Sequence, residues 1–98
     1  MAAALELHYS QNPAALEIVG EHYRRAGDAG SAFSYLVAAA KRLSERSLVQ
    51  EAWSLTEKAG ALEDSAAADL PKSEFRRYRR DNLTVRANVL YNLSLIHI

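Results

Sequence analysis

The 98-residue chain contains no cysteine. Disulfide staples and thiolate metal sites are therefore excluded, leaving carboxylates and the scattered histidines His8, His22 and His97 as candidate ligands. Net charge is absent too, because twelve Lys and Arg balance twelve Asp and Glu. A balanced chain lacks the general attraction that draws basic proteins to nucleic acid or anionic membranes, so such binding needs a local patch. No apolar run approaches the ~20 residues of a membrane-spanning helix. The first ten residues, with Glu6 inside a short apolar run and no basic residue ahead of it, do not fit a secretory signal. The expectation is a soluble, cytoplasmic chain without a membrane partner.

Chemistry-bearing motifs are missing as well. There is no glycine-rich phosphate loop followed by Lys-Ser or Lys-Thr, and no paired-Asp metal motif of the kind a cyclase uses. The three histidines have no ligand spacing with one another, and nothing points to a nucleophile, base and orienter acting together. No catalytic, cofactor-binding or metal-binding residue is assigned, and no cofactor is expected.

Four glycines and two prolines leave few breaks, whereas eighteen alanines favour helix, since alanine loses no side-chain entropy there. The expected class is all-α, with about four helices in a single small domain or a piece of a larger one. Leu5 and Tyr9, four residues apart, suggest the tail of a preceding helix within residues 1–10. Asn12 and Pro13 mark a helix start, Asn as cap and Pro at the first position, where it has no intrahelical bond to lose. That helix carries Leu16, Val19, Gly20 and Tyr23 on one face and stops near Ala26 and Gly27. Asp28 caps a second helix with the inward stripe Ala32, Phe33, Leu36, Ala39, Ala40 and Leu43, ending within residues 45–47. Ser47 with Gln50 reads as a capping box opening a third helix. Its apolar positions are Val49, Ala52, Trp53, Leu55, Ala59 and Leu62, with an exit at Glu63, Asp64 and Ser65. Residues 66–72 are ambiguous, because Pro71 pushes Leu70 out of helical geometry. A fourth helix over 73–93 carries Phe75, Tyr78, Val85, Val89 and Leu93.

The spacing of large, small and aromatic residues over 16–39 resembles a tetratricopeptide repeat. Leu16, Val19, Gly20, Tyr23, Ala32, Leu36 and Ala39 are its structural positions, and Gly27 with Asp28 is the turn. The resemblance implies antiparallel helical hairpins of an α-solenoid, the clearest spanning 13–46. The repeat does not continue at 34 residues. A weaker echo sets Ala52, Thr56 and Ala59 at the spacing of Ala32, Leu36 and Ala39, twenty residues on.

A more specific likeness runs through His22, Tyr23, Arg24, Arg25, Ala26, Gly27 and Asp28, then Ala32, Tyr35, Leu36 and the alanines 38–40. It continues at Glu51, Ala52, Ala61 and Leu62. Over about residues 13–64 the chain resembles the helical-repeat region that follows the nucleotide-binding module of large bacterial signalling ATPases. Relatives of that kind include adenylate or guanylate cyclase fusions and transcriptional regulators. The resemblance implies a scaffold, a fragment of such a regulator, whose ATPase or cyclase chemistry lies in other parts. Residues 94–98 belong to a stretch resembling a translated sequencing adapter and read as a non-native tail, leaving 1–93 as the helical unit. Each hairpin of a solenoid leaves an apolar face for its neighbour to cover, so marginal stability or self-association through exposed repeat ends is expected.

The expected partner is a protein, either a peptide or a neighbouring domain. The first helix of each hairpin lines the concave groove in this family, which places Glu17, Glu21, Arg24 and Arg25 as the candidate contact face. The same residues also read as a solvated face with a Glu21 to Arg25 ion pair. Peptide-clamping repeats use Lys and Asn at corresponding positions, so Glu17 and Glu21 argue against capture of a peptide carboxylate. The alternative is a nucleic-acid-associated regulator using Arg76, Arg77, Arg79 and Arg80 with Tyr78 among them. At helical spacing those arginines spread around more than half the circumference, and only Arg76 and Arg80 share a face; solvated positions or interdomain ion pairs fit them better. Asn82 and Asn92 each open a glycosylation triplet, discounted because both lie in expected helix without a secretory signal.

Overall fold

Asn12 and Pro13 open the first helix as the sequence predicts. The computed structural model describes residues 12–96, with side chains described through 92. The helix expected within 1–10 and the last two residues of the tail lie outside the described residues. Among the described residues the chain is all-α, with no strand.

Helix α1 (Pro13–Arg25) is capped by the Asn12 side chain, whose Oδ1 accepts from the amides of Ala14 at 3.0 Å and Ala15 at 3.4 Å. Its end is a left-handed turn at Gly27, φ 83°. There the Asp28 amide donates to the Tyr23 carbonyl and the Gly27 amide to that of Arg24, so two carbonyls left over by the helix are satisfied. Asp28 then caps α2 (Ala29–Glu45), its carboxylate accepting from both the amide and the hydroxyl of Ser31. The turn into α3 (Val49–Ala61) repeats the first one. Leu48 donates to Leu43 and Ser47 to Ser44, with Ser47 at φ 63°. Here the capping-box expectation is corrected: Leu48, not Ser47, is the N-cap, and no side chain bonds the helix start. Ser47 is committed to the left-handed position that closes α2 and so cannot also cap α3.

Residues 66–72 resolve into most of a short extra helix, α4 (Glu63–Asp69), followed by an extended Leu70 before Pro71. The described residues thus hold five helices where about four were expected. Glu63, Asp64 and Ser65 form the start of α4, not the exit of α3. Two acids in a first helical turn meet the positive end of the helix dipole, which favours this start. Helix α5 (Lys72–Ile96) begins one residue before the expected Ser73 and runs past Leu93.

Helix α2 is the centre of the fold and packs against each of the other four. Ala32, Phe33, Leu36, Ala39 and Ala40 on it are fully buried. Leu16 and Gly20 of α1 are buried against it, whereas Val19 and Tyr23 are half-buried. A side chain at Gly20 would place its Cβ 3.0 Å from Leu36 Cδ2, so α1 and α2 approach closely there and a larger residue would crowd Leu36. Ala52, Leu55 and Ala59 of α3, with Val85 and Val89 of α5, complete the core, and Phe33 stacks on Phe75 at 5.7 Å. The start of α2 is tied to the end of α4, where the Gly30 amide donates to the Asp69 carboxylate at 3.3 Å. Among the described residues, no helix is long and apolar enough to cross a membrane.

Candidate functional site

The charged positions of α1 turn toward α3. Lys58 of α3 lies 3.4 Å from Glu17 and 4.0 Å from Glu21, and Arg24 folds back onto Glu21 at 2.6 Å. The expected Glu21 to Arg25 pair is therefore replaced by Glu21 with Arg24, one residue closer, and Arg25 is exposed. The Arg24 hydrogen bond holds the Glu21 carboxyl below its ordinary value of 4.5, against the partial desolvation that pushes it up. Glu17 and Glu21 thus link α1 to α3 through Lys58, with Arg24 folded onto Glu21 at the surface, and both Arg24 and Arg25 are exposed.

The arginines at 76–80 of α5 differ in what they contact. Arg77 lies over the Tyr78 ring at 4.9 Å and donates to its hydroxyl, while Arg79 pairs with Glu63 of α4 at 2.6 Å. Arg76 and Arg80 are exposed and line a shallow hollow together with Arg79. With Arg77 and Arg79 engaged by Tyr78 and Glu63, only Arg76 and Arg80 of the four are left to meet a phosphate backbone.

The feature that sequence reasoning missed is a groove of about 750 Å³ between α2 and α5. Leu16, Val37, Ala38 and Leu70 supply apolar lining, and Tyr35 and Tyr78 line it as well. Charges of both signs surround these residues, with Lys41, Arg42 and Glu45 from α2 and Glu74, Arg77 and Asp81 from α5. Tyr35 is held by stacking on Tyr23 at 5.5 Å and 14°. The available signal was a second row on α2, at Ser34, Tyr35, Ala38, Lys41 and Arg42, beside the inward stripe and too polar for a core.

A second polar cluster joins α3 to α5 deep in the fold. Arg86 lies over the Trp53 ring at 4.2 Å and reaches the hydroxyl of the fully buried Thr56 at 3.5 Å. Thr56 donates that hydroxyl to the Trp53 carbonyl at 2.7 Å, and Asn82 donates to the Thr56 carbonyl at 3.4 Å. Asn82 is only 5 % exposed, so its glycosylation triplet is not accessible in the folded chain. Trp53 packs against the core, in keeping with its expected packing role. His22 is exposed with its ring edge toward Tyr23, and among the described residues no three His, Asp or Glu side chains converge to hold a metal ion. Comparison with protein-family models, curated proteins and solved structures finds no match to this chain.

Proposed function

We propose that this chain is a non-catalytic protein-interaction module that holds a peptide segment or a loop of a neighbouring domain in the groove between α2 and α5. The observation that carries this reading is the make-up of the groove: apolar residues, two tyrosines, and charges of both signs line it together. Tyrosine offers a large rigid face and a hydroxyl at low entropic cost, which is why protein contact surfaces are rich in it. A rim of mixed sign selects a partner by its pattern of charges, not by its net charge. The groove takes precedence over the α1 face because Glu17 is already paired with Lys58 and Glu21 with Arg24.

The likeness to tetratricopeptide repeats and to the helical region of signalling ATPases supports the same role. In that setting the module works in the cytoplasm and couples a sensor or partner to an ATPase, cyclase or other regulatory domain. The nucleic-acid alternative draws less support, since Arg77 and Arg79 are engaged within the fold.

Selection of displayed peptides on the intact chain tests the proposal. Ala38→Arg fills the groove from a half-buried position, and Ser54→Arg places the same charge on an exposed position of α3 outside it. Selected peptides are expected to bind the first variant about tenfold or more weakly, a loss of ~1.4 kcal/mol, and the second unchanged. Equal binding to both variants, or no selected peptide at all, overturns the groove as the contact site.

A further inference from the structure

The outer side of α5 carries a row that neither the core nor the groove uses. Arg76, Arg80, Leu83, Ala87 and Leu90 follow one another at alternating steps of four and three, which aligns them along one side of a helix. That side lies opposite the buried Val85 and Val89. A helix face left to solvent is ordinarily polar. Here Leu83 is 52 % exposed, Leu90 55 % and the adjoining Tyr91 66 %. Arg76, Arg79 and Arg80 share a shallow hollow of about 400 Å³ with Leu83 and Ala87, so the basic and apolar ends form one continuous surface.

Charge decides what can cover it. Arg77 and Arg79 have partners within the fold, whereas Arg76 and Arg80 have none among the described residues. Pairing with a second α5 does not supply one. Side by side in parallel, the arginines meet their own copies. In antiparallel pairing about Leu83 they meet Ala87 and Leu90, and residues 83–91 contain no acid. A membrane-surface helix flanks its apolar stripe with cations along its length, but here they sit at one end only. Nucleic acid would use the arginines and leave Leu83, Ala87 and Leu90 without a counterpart.

We propose that the outer face of α5 docks an amphipathic helix from another protein or domain. That helix has apolar residues at the i, i+3 or i+4, i+7 spacing and Asp or Glu at the end that meets Arg76 and Arg80. The surface is separate from the α2–α5 groove, so either can fail without the other.

The test uses the intact chain and a displayed library of helix-forming peptides with variable apolar and charged positions. Two double variants are compared with the parent: Leu83→Ser with Leu90→Ser, and Arg76→Glu with Arg80→Glu. All four positions are exposed, and fluorescence of Trp53, the sole tryptophan, reports whether α5 is still docked on α3. The expected result is enrichment of apolar-striped peptides with an acidic end that bind both variants about tenfold or more weakly. Peptides with Lys in place of the acids should then regain binding to the charge-reversed variant. Enriched peptides lacking the acidic end, or binding both variants as well as the parent, overturn the proposal. So does a chain that enriches no helical peptide but loses phosphatidylserine vesicles or single-stranded RNA on the same substitutions.

Discussion

Ser47 occupies the left-handed position of the turn between α2 and α3 that Gly27 fills between α1 and α2, with φ 63° against 83°. A side chain is disfavoured there by about 1–2 kcal/mol, and glycine returns part of that gain through its larger unfolded-state entropy. Ser47→Gly is therefore expected to stabilise the chain by about 0.5–1 kcal/mol, read as a higher urea midpoint in Trp53 fluorescence. No change or a loss would show that the serine makes a compensating contact. Serine with Gln50 three residues on is also the pattern of a helix start, and local sequence alone does not separate the two uses. What separates them is the pair of bonds closing α2, from Leu48 to Leu43 and from Ser47 to Ser44.

Glu21 provides a second prediction at the same scale. Its carboxyl lies below the ordinary 4.5 because Arg24 stabilises the charged form. The unfolded chain therefore binds a proton at a higher pH than the folded one. The stability contributed by Glu21 is complete above 4.5 and is lost as pH falls through the lowered folded value. Glu21→Gln should flatten the fall of the urea midpoint across that acid window compared with the parent. An unchanged slope would mean the pair contributes nothing to folding.

Among the helices, α1 is the most weakly held. Its backbone approaches only α2 among the described helices, its outer face carries Ile18 at 70 % exposure, and its tie to α3 is the Lys58 cluster. Exposed ion pairs of that kind contribute about 0–1 kcal/mol each. By contrast α2 is enclosed by four neighbours. Amide hydrogen exchange is expected to open α1, read at Val19 and Gly20, well before Leu36, Val37 and Ala39 of α2. Equal protection of the two helices would show that they open as one unit.

Helices α1 and α2 were legible because their signals are local, an Asn or Asp cap and apolar residues at helical spacing, with a glycine stop after α1. Of α3 only the helical spacing was legible, and its start and exit were misplaced. The positions of the twenty-residue spacing are core positions in the structure. Ala32 and Ala52, Leu36 and Thr56, and Ala39 and Ala59 are all fully buried, and the turns ahead of them, at Gly27 and Ser47, lie twenty residues apart as well. Helix α4 was not legible, since residues 66–72 combine alanines that favour helix with a proline that ends one. Its course is settled by a distant contact, the bond from the Gly30 amide to Asp69, with Leu70 packed against the glycine.

For the molecule as a whole, the radius of gyration of 13.2 Å is that of a compact chain of about 100 residues. Compactness follows from α5 folding back over α2 and α3, which buries Val85 and Val89 and leaves the groove beside them. The groove was beyond sequence reasoning because its walls are some forty residues apart in the chain, as Tyr35 and Tyr78 show. The α1 charges pointed elsewhere because nothing local revealed that Lys58 would reach them.

The proposed role of the α2–α5 groove as a contact surface is tested most directly by amide chemical-shift mapping of the intact chain with a selected peptide. Shifts concentrated at Tyr35, Ala38, Lys41, Tyr78 and Asp81 are the predicted result. Shifts confined to α1 around Glu17, Glu21 and Arg25 with the groove unmoved would contradict it.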